Sequence, residues 1–334
     1  MRNVGFQPAE PLSVWTVTDG RAGIEAQALG LAEALARRAP IKLATKRVRL
    51  RSPYSWLPPG FVPAPRQALS IGSDLIGPPW PDILIGCGRA SIPFAMGVRT
   101  WSRGKTFVAQ LQDPRVNARE FDVVIPPIHD GLEGPNVLPI VGACHRVTPE
   151  KLDQALLDYP TPLEDLPGPR FAVLIGGKSK RQDISAARAK AIADALANVQ
   201  RDTGGTLMAT LSRRTRDPAR LAFRTWLAPH CALFYEGEGV NPYFAMLAAA
   251  DHVFVTADSV NMATEAAATA KPIHVLEVDG ALGKLARFHD ALQQRGCARR
   301  FTGKLESWTY PALLETDRAA AAVLTAWAAR AGSR

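Results

Sequence analysis

The chain has 334 residues, 47% hydrophobic and 21% charged, enough for about two ordinary cores, which excludes an intrinsically disordered protein. No apolar run approaches the roughly 18 to 20 residues that span a bilayer, and the N-terminal MRNVGFQPAEPL has no apolar signal-peptide core, so a cytoplasmic protein is expected. The formal net charge of +9 is unevenly placed, with 14 Lys or Arg against three acids (Asp74, Asp82 and Asp113) between Arg37 and Arg119. Such a run is commonly a solvated face. Its functional reading is an anionic partner, and the interleaved Tyr54, Trp56, Leu57, Phe61 and Trp80 suit a membrane interface better than a nucleic-acid groove. No nucleic acid is expected, and a peripheral position on the inner membrane face is. Cys87, Cys144, Cys231 and Cys297 form no ligand spacing and read as reduced packing residues.

Short apolar strands alternate with amphipathic helices, the pattern of an α/β protein with parallel sheets. Strands are expected at 12–19, 42–50, 81–88, 105–112, 121–127 and 136–142, with a helix over 23–38. The Pro- and acid-rich stretch 158–170 reads as a linker. A second series follows: a strand and glycine turn over 171–179, helix 185–199, strand 206–213, a helix around 221–227 and strand 232–237. Then AADHVFVTADSVNMATEAAATAKPIHVLEVDG reads as strand 252–256, helix 259–270 and strand 272–278, before one or two final helices. The expected domains are 1–157, 171–307 across the linker, and a C-terminal segment 308–334 packing back on the first.

Two such domains place ligands at the carboxyl ends of their strands. In the first half, Thr18-Asp-Gly-Arg-Ala-Gly puts Gly20, Arg21 and Gly23 in a turn, with Gln27 about one helical turn later. Glycines admit close backbone approach and an arginine fork suits phosphate or carboxylate. Gly88 with Arg89, and Gln112 with Arg115, repeat this at later strand exits, and together these residues form the acceptor side. Asp19, Asp113 and His129 are the candidate general bases, although an aspartate at a helix start is as often a cap, and a loop histidine more often structural.

In the second half, Gly176-Gly177-Lys178 offers amides and one mobile cation to a diphosphate, and Ser212-Arg213-Arg214 adds two guanidiniums. Asn241 opens a helix on which Tyr243 can stack on a base. Ser259 starts the next helix, whose N-terminal amides suit a phosphate, and Glu265 is placed to reach a sugar hydroxyl. Asp258 stands at the expected N-cap, where its carboxylate would compete for those amides. Without a DxD or DxDxDG motif, no metal is expected and the mechanism is metal-independent.

The strand, helix-borne Glu and Ala-Lys-Pro turn resemble the donor half-site of GT-B glycosyltransferases, with Ser259 where that family usually keeps Gly. Taken together, WTVTDGRAGIEAQALGLAEAL, LIGCGRAS, QLQDPR, FDVVIPPIHDGLEGPNV, LIGGKSK and NPYFAMLAAADHVFVTADSVNMATEA resemble the mitochondrial-fission-factor-like family of plants and bacteria. The Asp258-Ser-Val-Asn261-Met262 string is its most distinctive part, and the resemblance sets Asn261 and Met262 beside the donor. It implies an α/β, GT-B-like fold of two facing Rossmann-like domains with mostly parallel sheets and a cleft between them. For the plant member it implies a role at the mitochondrial surface, recruiting a dynamin-related GTPase. The dinucleotide fingerprint and Tyr-x-x-x-Lys pair of NAD-dependent epimerases are missing. Two readings follow. One is a glycosyltransferase moving sugar from a nucleotide-sugar donor, with no tightly bound cofactor, to an anionic or lipid-linked acceptor. The other is a non-catalytic adaptor for protein partners or membrane, with a vestigial cleft. Polar residues at nearly every strand exit favour the first.

Overall fold

A computed structural model describes residues 10–179 and 181–332. Most of the stretch read for a signal peptide, and Lys180 of LIGGKSK, lie outside the described residues. The chain forms two compact units, one of residues up to Arg146 together with those from Leu314 onward, the other Val147–Leu313.

The first unit holds a five-stranded parallel sheet of β1 (Leu12–Thr18), β2 (Ile41–Arg47), β3 (Ile83–Cys87), β4 (Phe107–Leu111) and β5 (Val123–Ile125), in the order β2-β1-β3-β4-β5. Side-chain alternation sends Leu12 and Val14 to one face and Trp15 and Val17 to the other, and both faces are covered. The first face packs on α1 (Ala22–Ala36), the second on α2 (Ile92–Trp101).

Residues 136–142, expected as a sixth strand, make only two isolated parallel bridges, Val124↔Val137 and Pro127↔Ile140. Pro139 has no N–H to give a ladder, so the segment touches the sheet without extending it. Trp80 and Tyr54 also depart from the interfacial reading. Trp80 packs between Trp15 and Trp101 at 6.2 and 6.0 Å, under the Arg66 guanidinium, and Tyr54 is half-buried beside Arg51. Trp56 and Phe61 remain 77% and 78% exposed, and Leu57 is at the margin.

The second unit opens with α3 (Pro149–Asp158), capped by Thr148, whose hydroxyl accepts from the Lys151 amide. Residues 158–170 belong to this unit, where Leu163 is buried. Its six-stranded parallel sheet comprises β6 (Arg170–Ile175), β8 (Thr206–Leu211), β9 (Cys231–Tyr235), β10 (His252–Thr256), β11 (Ile273–Leu276) and β13 (Ala298–Arg300), in the order β13-β11-β10-β6-β8-β9. A two-residue antiparallel pair, β7 (Gln182–Asp183) with β12 (Asp279–Gly280), stands apart. The helices are α4 (Ala186–Thr203), α5 (Asp217–Trp226), α6 (Tyr243–Ala249), α7 (Val260–Ala267) and α8 (Leu285–Gln294). Phe171, Val173 and Ile175 pack against Ile192, Leu196 and Phe223 of α4 and α5. Each such fully buried side chain contributes about 1.5–3 kcal/mol.

The final helix, α9 (Glu315–Gly332), belongs to the first unit and packs Ala319, Ala320 and Val323 into the core that α1 lines. Among the described residues, no helix is long and apolar enough to cross a membrane.

Candidate functional site

Three loops meet where β10, β6 and β8, adjacent in the second sheet, end at their carboxyl edge. The Gly176 amide donates to Thr256 Oγ1 (2.7 Å), and the Gly177 amide to Asp258 Oδ2 (2.8 Å). The Lys178 amide donates to the Arg214 carbonyl (3.0 Å), and Thr215 Oγ1 to the Gly176 carbonyl (2.5 Å). Ser212 Oγ turns the third loop by accepting from the Arg214 amide (3.1 Å). A side chain at Gly176 would overlap the Asp258 carboxylate, and one at Gly177 would overlap the Arg214 backbone. Both glycines are therefore required by close approach.

Asp258 does not cap α7. Ser259 is the N-cap and makes no side-chain capping bond, while Asp258 turns across to Gly177 and the Arg214 guanidinium (3.4 Å). Its side chain is 1% exposed, and among the described residues Oδ1 has no hydrogen-bond partner. Burial pushes its carboxyl above the ordinary value, against the opposing pull of the Gly177 amide, Thr256 and Arg214. So the amides opening α7 are left uncapped by either side chain that might have competed with a phosphate.

Beside this junction is an open depression of about 600 Å³ lined by Lys178, Arg213, Arg214, Thr215, Arg216, Asp217 and Pro218. Arg216, absent from the sequence reading, is the N-cap residue of α5 and makes no capping bond through its side chain. It was legible as the next basic residue of the Arg213-Arg214-Thr215-Arg216 run. Lys178 pairs weakly with Asp183 (3.5 Å), both half exposed, so its ammonium stays mobile.

On the helices flanking β10, Tyr243 Oη donates to Glu265 Oε2 (2.6 Å). Expected as separate ligand contacts, the two side chains are partners in the structure. Burial pushes the Glu265 carboxyl up to about 7, with the Tyr243 bond pulling the other way, and burial beside Glu265 holds the phenol well above its ordinary value. Asn241 Oδ1 accepts from the Tyr243 amide (3.0 Å) and so starts α6. Asn261 and Met262 are half-buried in the first turn of α7. Lys271, also missed, donates to the Leu247 and Ala248 carbonyls (2.6 and 2.5 Å) and closes the C-terminus of α6.

In the first unit, Gln112 Nε2 donates to Gln27 Oε1 (3.0 Å), beside Cys87 Sγ. Cys87 is fully buried, and burial lifts its thiol well above the ordinary value, as befits a packing residue. Asp19 pairs with Arg21 (2.7 Å) and Asp113 with Arg115 (2.8 Å), each within one turn, and His129 is buried after β5. Gly20 and Gly88 have φ +78° and +80°, Gly88 lying against Ile24, and Gly23 is exposed at the start of α1. Asp19, Arg21 and Arg89 share a cavity, whereas Asp113, Arg115 and His129 do not line it. Among the described residues, no group of three or more His, Cys, Asp or Glu is placed to hold a metal ion.

The fold is found in solved structures. A putative UDP-N-acetylglucosamine 2-epimerase from Listeria monocytogenes superposes with a TM-score of 0.56 at 12% identity, over 95% of this chain and 88% of that one. A UDP-glucosyltransferase from Polygonum tinctorium gives 0.50 at 12% identity, over 97% and 94%. At that identity the likeness is one of fold, two Rossmann-like α/β units with parallel sheets as in GT-B proteins. In sequence, the chain is 34% identical over 280 residues to the mitochondrial fission protein ELM1 of Arabidopsis thaliana, covering 76% of this chain but 65% of the plant protein's length. The family model described as mitochondrial fission ELM1 matches residues 22–327, and the chain belongs to that family.

Proposed function

We propose that the second unit binds a nucleoside diphosphate at the carboxyl ends of β6, β8 and β10, and that the chain transfers a sugar from a nucleotide-sugar donor. The observation that carries this reading is the cationic depression beside the three-loop junction, lined from the loops that follow β6 and β8. Lys178, Arg213, Arg214 and Arg216 face it against one acid, Asp217. Its volume of about 600 Å³ falls within the 300–1,000 Å³ typical of small-molecule sites. Both similar structures named above are of proteins named for UDP-linked sugars, which supports uridine diphosphate as the first nucleotide to try.

In this reading, Glu265 accepts from a sugar hydroxyl of the nucleotide, held in place by Tyr243. The cationic side chains meet the charge that develops on the departing diphosphate, a task that elsewhere falls to a metal ion. The acceptor is anionic or lipid-linked. If transfer inverts the sugar, its hydroxyl must lose a proton, and Asp19 is the candidate base that opens on a cavity. The test is thermal melting with nucleoside diphosphates and nucleotide sugars. Ligand at 100 times its dissociation constant adds about 2.7 kcal/mol of apparent stability. No shift at millimolar concentration with any of them would remove the basis of the reading.

A further inference from the structure

A second cationic hollow lies in the first unit, separate from the three-loop junction. It measures about 230 Å³ and is lined by Asp19, Arg21, Arg49, Leu50, Ser55, Leu57, Pro59, Arg89 and Ala90. Its charged groups are differently committed. Arg21 is paired with Asp19 (2.7 Å). The Arg89 guanidinium donates to the Leu57 carbonyl (2.7 Å) and at longer range to that of Trp56 (3.4 Å), which fixes its position at no cost in charge. Arg49 is anchored through its backbone to Ser73 and Ser70, while among the described residues its guanidinium has no ion pair or hydrogen bond. Three guanidiniums therefore face one carboxylate.

We propose that this hollow binds a small phosphomonoester, with the phosphate among Arg21, Arg49 and Arg89 and its organic part against Leu50, Leu57 and Pro59. Charge selects the ligand. Three arginines less one aspartate leave an excess of two positive charges, which matches the −1.5 to −2 of a phosphomonoester at neutral pH and exceeds the single charge of a carboxylate. Arginine forks also suit the tetrahedral oxygens of phosphate, donating in pairs. Size favours a compact ligand over a nucleotide, since about 230 Å³ is below the 300–1,000 Å³ of ordinary small-molecule pockets. The apolar side favours a phosphate carried on a hydrocarbon or aromatic body over inorganic phosphate. The inference rests on the first unit alone and stands whether or not the second unit binds nucleotide.

The test is calorimetric titration of the full chain with phenyl phosphate, with benzoate and inorganic phosphate as comparisons. A second arm measures co-sedimentation with phosphatidylcholine vesicles, with and without phosphatidic acid, because the same phosphomonoester can be presented by a lipid. Phenyl phosphate is expected to bind more tightly than either comparison. Arg49→Ala is expected to weaken it about tenfold and Arg49→Glu to abolish it, both with an unchanged melting temperature because that guanidinium bonds to nothing among the described residues. Arg214→Ala, in the second unit, is expected to leave phenyl phosphate binding intact. Binding to phosphatidic acid vesicles that requires Arg49, without binding of phenyl phosphate, would also uphold the site and assign its ligand to a lipid. Binding that survives Arg49→Glu, that is lost in Arg214→Ala, or that is no stronger than benzoate overturns the proposal, as does the failure of both arms.

Discussion

At the scale of single residues, Asp258 organises the three-loop junction, and Glu265 is the buried carboxyl on the helices flanking β10. Gly176→Ala would push the Asp258 carboxylate off the Gly177 amide, leaving a buried charged group unsatisfied. The expected cost is about 1–3 kcal/mol, seen as a lower urea midpoint with an unchanged denaturant slope. An unchanged midpoint would mean that Asp258 does not organise the loop. Glu265 makes a prediction about pH. Its folded pKa of about 7 lies above the ordinary 4.5, so its contribution to stability is fully present below pH 4.5 and is lost as pH rises through 7. Glu265→Gln should flatten that part of the stability profile. In binding the sign reverses, because the ionised carboxylate is the better acceptor. Affinity for UDP-glucose, whose own charge is constant here, should rise between pH 6 and 8 in the native chain, stay flat in Glu265→Gln, and be weaker in the variant by roughly 1.5–3 kcal/mol at high pH. Equal affinity in both proteins at pH 8 would remove Glu265 from the site.

At the scale of elements, Lys271 holds the end of α6 and with it Tyr243. Burial lowers its ammonium to about 8, yet its two carbonyl partners make it a charged cap. Lys271→Ala should cost about 1–2 kcal/mol. It should also raise amide exchange in α6 more than in α4, and uniform exchange across both would assign the lysine to the global fold instead. Elements were legible where they lie inside the sheets. Strand β10 was read at its observed bounds, and β6 and β8 nearly so, because strands covered on both faces are written as unbroken apolar runs. What escaped was non-local or too short to have a period. The two-residue β7–β12 pair and the three-residue edge strand β13 are too short to carry a pattern, and Pro139 interrupts a run that otherwise resembles a strand, whereas α3 and α8 went unread although Leu285, Phe288 and Leu292 of α8 fall at helical spacing. The glycines and arginines of the site were legible as types at strand exits. Their partners were not, because Gly177 and Asp258 lie 81 residues apart and Tyr243 and Glu265 lie on different helices.

Across the whole molecule, charge and exposed aromatics gather in the first unit, with Trp56, Phe61, Ile71 and Leu75 all more than three-quarters exposed within the basic stretch. This supports reversible contact with an anionic bilayer, each Lys or Arg near the surface adding about 1 kcal/mol and salt weakening the attraction. Vesicle co-sedimentation should need anionic lipid, fall with salt, and drop further in Trp56→Ala/Phe61→Ala. Equal binding to neutral and anionic vesicles would leave the patch as a solvated face. The central claim, however, is the nucleotide site of the second unit. Titration calorimetry of the native chain and Arg214→Ala with UDP tests it most directly. Saturable one-to-one binding to the native chain is expected, weakened about tenfold or more in the variant. No heat of binding at millimolar UDP and other nucleoside diphosphates, or the same affinity in both proteins, would contradict it.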